Sequence, residues 1–395
     1  MLRSKPNIFC VLLSLGVTLS ALAGPSLVFA RAAGTAKGDA QSMQESLERI
    51  SRRPDTEISL LPVLFLASGE GVRKLTGRTM DAGFVEKEID RIAWRVSASL
   101  VGAREPRRAI AAINQALFGD EGFVYDSAAG EANNYLLDRV IAQKRGNCLG
   151  LTFIYLALGE RLGIPLQGAY VPTHCFARYE ENGVRINIET GEKGAERDDR
   201  WYAWKFKVGE GRPYLQALGK REMIGVYLKS LGAALSRRGM EEDALRVYRR
   251  AALFSPGLPD VYYNAGVSYQ KLGKNDDAVA QYRKALALDP DLEIARGNLG
   301  ATLCSWGKVE EGIQEFLKAI EINPENIKAR AGLAKAYFSQ GAYRESIAHF
   351  DRAMAQGCNF DPSMLEVLAR YRAAGDLSSR HGSGPPGPSP GRVFE

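Results

Sequence analysis

Cys148 is the residue of this sequence best placed for nucleophilic chemistry. It lies in the stretch Arg145-Gly146-Asn147-Cys148-Leu149-Gly150, and the apolar residues that follow recur at spacings of three and four until Gly163 and Pro165. This pattern predicts a helix that begins at or next to Cys148. Free N–H groups and the positive end of the helix dipole favour a thiolate over a thiol there. Cys148 is therefore a candidate nucleophile.

His174 is the candidate base for this thiol. The sequence predicts strands over 166–171, 174–179 and 184–188, and Asn182-Gly183 between the last two is a strong hairpin signal. A neutral thiol is a poor nucleophile at neutral pH, but an imidazole within hydrogen-bond distance can take its proton. His174 lies on the first arm of this hairpin, so it is the predicted partner.

The third member of the site depends on the register of the hairpin. A two-residue Asn-Gly loop makes Glu189 the diagonal neighbour of His174, and a four-residue loop places the two directly opposite each other. Both loops keep these side chains on one face of the sheet. In the tighter register, Asn187 lies opposite Arg178. We therefore predict Glu189 as the group that orients the imidazole, with Asn187 as the alternative.

A cysteine at a helix start, followed by a histidine and a polar partner on neighbouring strands, resembles the papain and transglutaminase superfamily. Within it, the sequence is similar to the bacterial SirB-type branch of transglutaminase-like domains, over roughly residues 80 to 195. The matching segments are Asn134-Tyr135-Leu136-Leu137, Arg145-Gly146-Asn147-Cys148-Leu149-Gly150-Leu151, Arg161-Leu162-Gly163-Ile164-Pro165-Leu166, Val171-Pro172-Thr173-His174 and Ile186-Asn187-Ile188-Glu189-Thr190. The resemblance implies an α+β domain that cleaves or transfers acyl groups from amides through a thioester on Cys148.

Five series of residues recur with a period of 34 in the C-terminal third. They are Gly239, Gly273, Gly307 and Gly341; Pro256, Pro290 and Pro324; Tyr248, Tyr282, Phe316 and Phe350; Ala251, Ala285, Ala319 and Ala353; and Gly232, Gly266, Gly300 and Ala334. The period and residue types resemble tetratricopeptide repeats, which form an all-α solenoid. We predict four repeats over 225–360 and a capping helix over 361–376. By fold analogy, the concave face binds a protein or peptide.

The remaining segments complete the predicted organisation. Residues 1–30 resemble a signal peptide, which implies a periplasmic or secreted protein; an uncleaved membrane anchor is the alternative. A linker is predicted over 31–55, a transglutaminase-like domain with a mainly helical N-terminal part over 56–222, and a disordered tail over 377–395. The aromatic residues of 196–222 could line a substrate cleft or pack the domain onto the repeats.

Composition argues against several other classes of protein. The 395 residues carry a net charge of only +6, spread along the chain, so we predict no nucleic-acid partner. With three histidines and no CxxC pair, we predict neither a metal site nor a cofactor. Cys175 alternates away from His174 on its strand, so we expect it on the opposite side of the sheet. A bridge between Cys175 and Cys148 would block the nucleophile.

Two functions of different classes follow from these patterns. The first is a thiol enzyme, a protease, amidase or transglutaminase according to whether water or an amine intercepts the thioester. Asn133, Asn134 and Tyr135 could supply an oxyanion donor to it, although helix capping is the simpler role. The alternative is a non-catalytic transglutaminase-like scaffold whose repeats act as an adaptor, because members of this branch exist that lack the cysteine.

Overall fold

The computed structural model describes residues 36–100, 105–127 and 132–381. The predicted signal peptide and residues 382–395 of the predicted tail lie outside this range. Within it, no helix combines the length and apolar character needed to cross a membrane. The linker predicted over 31–55 is wrong in part, because Ala36–Ser51 form a helix whose Leu47 is fully buried in the core.

The N-terminal part is mainly helical, as the sequence predicts. Its helices are α1 (Ala36–Ser51), α2 (Leu60–Thr76), α3 (Ala82–Ser99), α4 (Pro106–Asn114) and α5 (Leu137–Gln143). Helix α3 shows why: apolar residues at helical spacing, from Val85 to Val96, are buried on one side. The Asp81 side chain accepts a hydrogen bond from the Phe84 N–H at 2.9 Å and caps its first turn.

A five-stranded antiparallel sheet carries the candidate histidine and its partner. In sheet order its strands are β6 (Ala195–Arg197), β5 (Val184–Glu189), β4 (His174–Glu181), β3 (Leu166–Val171) and β7 (Ala217–Leu218). Two shorter strands, β1 (Val124–Tyr125) and β2 (Arg145–Gly146), pair in parallel. Strand β2 ends just before Cys148. Helix α7 (Asp199–Phe206) follows β6 along the chain.

The hairpin between β4 and β5 has the tighter of the two registers considered above. Glu181 pairs with Val184, and Arg178 pairs with Asn187. Asn182 and Gly183 both have positive φ, 51° and 78°, as a two-residue type I′ turn requires. The two turn residues adopt positive φ readily, and the two-residue loop that they form fixes which residues pair across the hairpin.

Helix α6 (Cys148–Leu162) lies at the centre of the domain. It is apolar on all sides, and its residues from Leu149 to Gly159 are buried, as expected of a helix enclosed by other elements. It packs against β3 and β4 on one side and against α3 on another. The helix start at Cys148 therefore meets the end of the sheet where His174 lies.

Four antiparallel helix pairs follow, with the predicted period. They are α8 (Lys220–Arg237) and α9 (Glu241–Phe254), α10 (Pro259–Lys271) and α11 (Asn275–Leu288), α12 (Glu293–Ser305) and α13 (Val309–Ile322), and α14 (Ile327–Ser339) and α15 (Tyr343–Ala355). The closing helix α16 (Pro362–His381) is longer than predicted, so the tail predicted from 377 is wrong for residues 377–381. Gly239 and its equivalents adopt the positive φ that the turn between paired helices needs.

The repeats and the preceding domain share one hydrophobic core, which extends from Leu47 to Ala265. A Cβ atom on Gly168 of β3 would lie 2.1 Å from the sulfur of Met223 in α8. A Cβ on Gly71 of α2 would lie 2.9 Å from Leu231 of α8 and from Val247 of α9. The first repeat is therefore packed directly against both the sheet and the N-terminal helices.

Candidate active site

Cys148 is the first residue of α6, and its position is set by the residues before it. Asn147 adopts the N-cap conformation, and its side-chain oxygen accepts a hydrogen bond from the Gly150 N–H at 3.1 Å. The Asn147 N–H donates to the carbonyl of Asn134 at 2.7 Å. The thiol thus lies at the helix start that the sequence predicts, half-buried and beside the positive end of the dipole.

His174 and Glu189 form a buried hydrogen-bonded pair. His174 Nε2 lies 2.7 Å from Glu189 Oε2, and because a carboxylate only accepts, this nitrogen carries the proton. The other oxygen of Glu189 accepts from the Gly191 N–H at 2.8 Å. Nδ1 is the remaining ring nitrogen, and Cys148 lies close enough to His174 for each group to shift the pKa of the other.

These contacts shift the ionisation of all three groups. A hydrogen bond with Cys175 lowers the pKa of Cys148, whereas burial raises it. The hydrogen bond and positive charge of His174 lower it further, so the pKa of Cys148 lies well below the usual range of a thiol. Burial would lower the pKa of His174, but its hydrogen bonds to Cys148 and Glu189 raise it to about 9. Thiolate and imidazolium are therefore the forms expected at neutral pH.

The structure brings Glu189, and not Asn187, to the imidazole. Burial would raise the pKa of Glu189, but the hydrogen bond and positive charge of His174, together with the hydrogen bond from the Gly191 N–H, lower it. Asn187 lies further along β5 and is occupied elsewhere. Its side-chain oxygen accepts from Arg178 Nε at 2.6 Å, and its amide donates to Asp199 at 2.8 Å.

Cys175 lies on the opposite face of the sheet from His174, as the sequence predicts, but this does not remove it from the site. That opposite face of the sheet is the one covered by α6. Cys175 is buried, hydrogen-bonds to Cys148, and has its sulfur 4.0 Å from the hydroxyl of Thr152. Both cysteines are free thiols in the structure, so the nucleophile has a second thiol at its side.

Helix α7 supplies an aromatic wall beside the imidazole, from the segment whose aromatic residues were considered above as a possible cleft lining. Phe206 stacks on the His174 ring at 4.7 Å between centroids and 10° between planes. Tyr202 lies 6.2 Å from the same ring and stacks on Phe176 at 3.7 Å. The aromatic residues of segment 196–222 were the sequence signal for this wall. Stacking of Phe206 and Tyr202 restricts the movement of the imidazole.

Tyr125 borders the site on the opposite side and was not predicted from sequence. Its ring is 40% exposed, and a Cβ on Gly191 would lie 3.3 Å from it. Burial, followed by the charges of Cys148 and Glu189, raises the pKa of Tyr125 to about 12. A neutral phenol at the mouth of the site can donate a hydrogen bond to a substrate oxygen.

Among the residues considered as oxyanion donors, Tyr135 is engaged in the core, whereas the backbone of Asn134 lies beside the start of α6. Tyr135 is buried edge-on against Tyr227 at 5.6 Å. The asparagines do not cap α5, which begins after Leu136 without a side-chain cap. Among the described residues no group of three or more potential ligand side chains could hold a metal ion.

Gly150 allows the close approach that fixes Cys148. A Cβ there would lie 2.8 Å from the Asn134 carbonyl oxygen and 3.1 Å from the Tyr135 Cα, and backbone atoms cannot yield as a side chain can. Replacing Gly150 by alanine should destabilise the protein by about 1–3 kcal/mol through overpacking. It should also reduce the reactivity of Cys148, because α6 must shift away from Asn134.

Gly69 provides a matched control, since a Cβ on this residue of α2 would meet nothing within 4 Å. Gly69→Ala should be neutral or stabilise by up to about 1 kcal/mol, as alanine does within a helix. Urea unfolding and alkylation of Cys148 measure both effects. Equal stability and reactivity in the two variants would contradict this account of Gly150.

Comparison with known proteins agrees with this architecture. A family model for the transglutaminase-like superfamily matches residues 84–201, which include Cys148, His174 and Glu189. Models for tetratricopeptide repeats match residues 259–292 and 302–341. A UPF0162 protein of Vibrio cholerae is 28% identical over 192 residues, which cover 46% of this chain and 70% of that protein.

Two solved structures are similar to part of the chain. A crystal structure of MamA is 23% identical and has a TM-score of 0.32, covering 37% of this chain and 81% of MamA. The first tetratricopeptide-repeat domain of Spaghetti (RPAP3), bound to an HSP90 peptide, is 24% identical and has a TM-score of 0.29, covering 30% of this chain and 93% of that domain. The family models show that residues 84–201 form a transglutaminase-like core domain and that tetratricopeptide repeats follow it along the chain.

Proposed function

We propose that this protein is a thiol enzyme that cleaves or transfers acyl groups from amide bonds. The observation that carries the proposal is the buried pair of His174 and Glu189, joined at 2.7 Å, beside Cys148, whose pKa the positive charge of His174 helps to lower. The nucleophile Cys148 thus lies beside the base His174, and Glu189 orients that base, which is the arrangement that covalent catalysis requires. Phe206 stacks on the ring and limits its rotation.

The reaction would proceed in two steps. The Cys148 thiolate attacks the amide carbonyl, and the His174 imidazolium gives its proton to the departing amine, which leaves a thioester on Cys148. Water or a second amine then attacks the thioester, His174 takes the proton from the attacking group, and Cys148 leaves as the thiolate, which restores the thiolate–imidazolium pair. The backbone N–H of Cys148, at the helix start, is the natural donor to the oxyanion of each tetrahedral intermediate.

The repeats are proposed to bind a protein or peptide, which would bring acyl donor or acceptor to the thiol. Their support is the four-pair helical array, because arrays of this kind present an extended concave surface. A periplasmic or secreted location is proposed on the sequence pattern of residues 1–30. Amino-terminal sequencing of the protein recovered from its natural compartment would test the location.

Alkylation of Cys148 by iodoacetamide tests the enzymatic proposal without knowledge of the substrate. Mass spectrometry would follow each thiol of the reduced protein from pH 5 to pH 10. Cys148 should react well below pH 7, because its pKa is lowered. Cys304 is the internal control, since burial raises its pKa to about 11 and it should stay unmodified until alkaline pH.

The alternative function predicts a different result. If the domain is a scaffold and the repeats act as an adaptor, nothing requires an activated thiol. Cys148 would then titrate near the ordinary value of about 8.5 or remain unreactive, and Cys148→Ala would retain the biological function. That result would contradict the enzymatic proposal.

A further inference from the structure

We propose that Tyr170 is a positioning residue for His174 and that the first two repeats act through it as part of the catalytic unit. This inference rests on the proposed function. It adds Tyr170 to the residues that support the site and gives the repeats a role in catalysis. Tyr170 lies on β3, two residues before the turn that leads into His174. Its side chain points away from the imidazole and into the junction with α8 and α10.

Three residues hold Tyr170 in that junction. Its hydroxyl donates a hydrogen bond to Asp260 of α10 at 3.1 Å and accepts one from Lys229 of α8 at 3.2 Å. The Lys229 ammonium also lies 4.8 Å from the centre of its ring. Its backbone carbonyl accepts from the Leu215 N–H at 3.1 Å. A buried tyrosine is thus bonded to both of the first two repeats.

The turn that follows needs such an anchor. Thr173 has a φ of 68°, in the left-handed region that a β-branched residue rarely adopts. A strained conformation of this kind persists only when the surrounding contacts over-determine it. Val171 on one side of the turn pairs with His174 on the other, and the Thr173 backbone amide interacts with the Tyr170 hydroxyl. The anchored tyrosine therefore holds the turn from which His174 projects.

Tyr170 also supports the nucleophile on the other face of the sheet. It pairs directly with Cys175 across β3 and β4, so the two side chains share a face. Cys175 in turn hydrogen-bonds to Cys148. Movement of Tyr170 would thus disturb the base through the backbone and the nucleophile through the neighbouring thiol.

The repeats reinforce the same junction at a second place. Asp289, in the turn after the second repeat, is buried and bonded to Arg212, and it accepts a hydrogen bond from the Tyr214 hydroxyl at 3.2 Å. Tyr214 precedes Leu215, whose N–H holds the Tyr170 carbonyl, and its ring lies 6.1 Å from that of Tyr170. The repeats therefore contact Tyr170 directly through Lys229 and Asp260, and indirectly through Asp289 and Tyr214.

Tyr170→Phe in the full chain tests the proposal, because it removes one hydroxyl and keeps the ring. We expect the midpoint pH of Cys148 alkylation to rise by about half a unit to one unit, and the rate at pH 6 to fall roughly threefold to tenfold, the range of one lost hydrogen bond. Asp260→Asn should shift the midpoint in the same direction. Tyr282→Phe is the matched control: its buried hydroxyl donates to Gln270 at 2.9 Å, within the second repeat, and its removal should leave the midpoint unchanged.

A second pair of variants tests whether the turn carries the effect. Glycine adopts positive φ without strain, so in a Thr173→Gly background the shift caused by Tyr170→Phe should fall to less than half. An undiminished shift would overturn the part of the proposal that concerns the turn. If wild-type Cys148 reacts below pH 7 and Tyr170→Phe reacts identically, the positioning role is wrong while the proposed function stands. If wild-type Cys148 shows no reactivity below pH 7, the proposed function fails and the inference falls with it.

Discussion

Replacing His174 by alanine should lower the alkylation rate of Cys148 at pH 6 by roughly 100-fold, because the thiolate fraction falls by that factor when its pKa returns to about 8.5. Two neighbours lower the pKa of Cys148, the Cys175 thiol and His174. A thiol is a weak hydrogen-bond donor, whereas the imidazolium supplies both a strong donor and a positive charge. We therefore expect the larger share of the effect from His174.

Cys175→Ala is the matched control for this experiment. It removes the second thiol and leaves the His174–Glu189 pair in place, so the midpoint should rise by less than in His174→Ala. A larger rise in Cys175→Ala than in His174→Ala would contradict the ion-pair description and would make the two thiols the reactive unit. Mass spectrometry of the Cys148 peptide provides the rates for all three proteins.

The same pair sets the pH dependence of turnover once a substrate is known. On the acid side, activity should be lost as the Cys148 thiolate is protonated, well below the ordinary thiol pKa. On the alkaline side, it should be lost through about pH 9, where His174 gives up the proton that the leaving amine needs. In Glu189→Gln the alkaline limb should move to lower pH, since the carboxylate that favours the imidazolium is gone. An alkaline limb that stays in place would exclude His174 as the acid.

Replacing Arg178 by methionine should destabilise the protein by about 3 kcal/mol, an effect of the size found when one partner of a buried charged network is removed. The Arg178 side chain is fully buried. It donates to Asn187 at 2.6 Å, to Asp199 at 2.6 Å and to the Leu215 carbonyl at 2.8 Å. Methionine fills much of the volume but leaves these acceptors without their donor.

The measurement is urea unfolding of the full chain, with Arg107→Met as the control. Arg107 also bonds a carboxylate bidentately, at 2.8 and 3.0 Å to Glu196, but this pair is exposed, so its loss should hardly move the unfolding midpoint. Similar midpoints for the two variants would contradict the structural importance of Arg178. Because Leu215 also holds Tyr170, loss of Arg178 should lower the reactivity of Cys148 as well.

Much of the site could be predicted from sequence because its determinants are local. The helix start at Cys148 follows from an asparagine cap before an apolar run, and Gly163 ends the helix with a φ of 68°. The placement of Glu189 and His174 on one face follows from a two-residue turn, since Asn182 and Gly183 readily adopt the positive φ that this turn requires. The repeats can be recognised in the sequence because every unit packs in the same way and therefore needs the same residue types at the same interval.

Other features depend on which surfaces meet, and no local pattern encodes that. The sequence placed Cys175 on the opposite face from His174, but only the packing of α6 on that face makes it a neighbour of Cys148. Residues 36–51 are polar enough to resemble a linker, and they form a helix that packs against α9 of the first repeat. The sequence pattern does not distinguish Tyr170 from the other residues of its strand, and only the packing of the repeats against it shows its contacts. The sequence by itself determined the candidate nucleophile, its partners and the repeats, whereas the tertiary structure decided what surrounds and supports them, because those contacts join segments far apart in the chain.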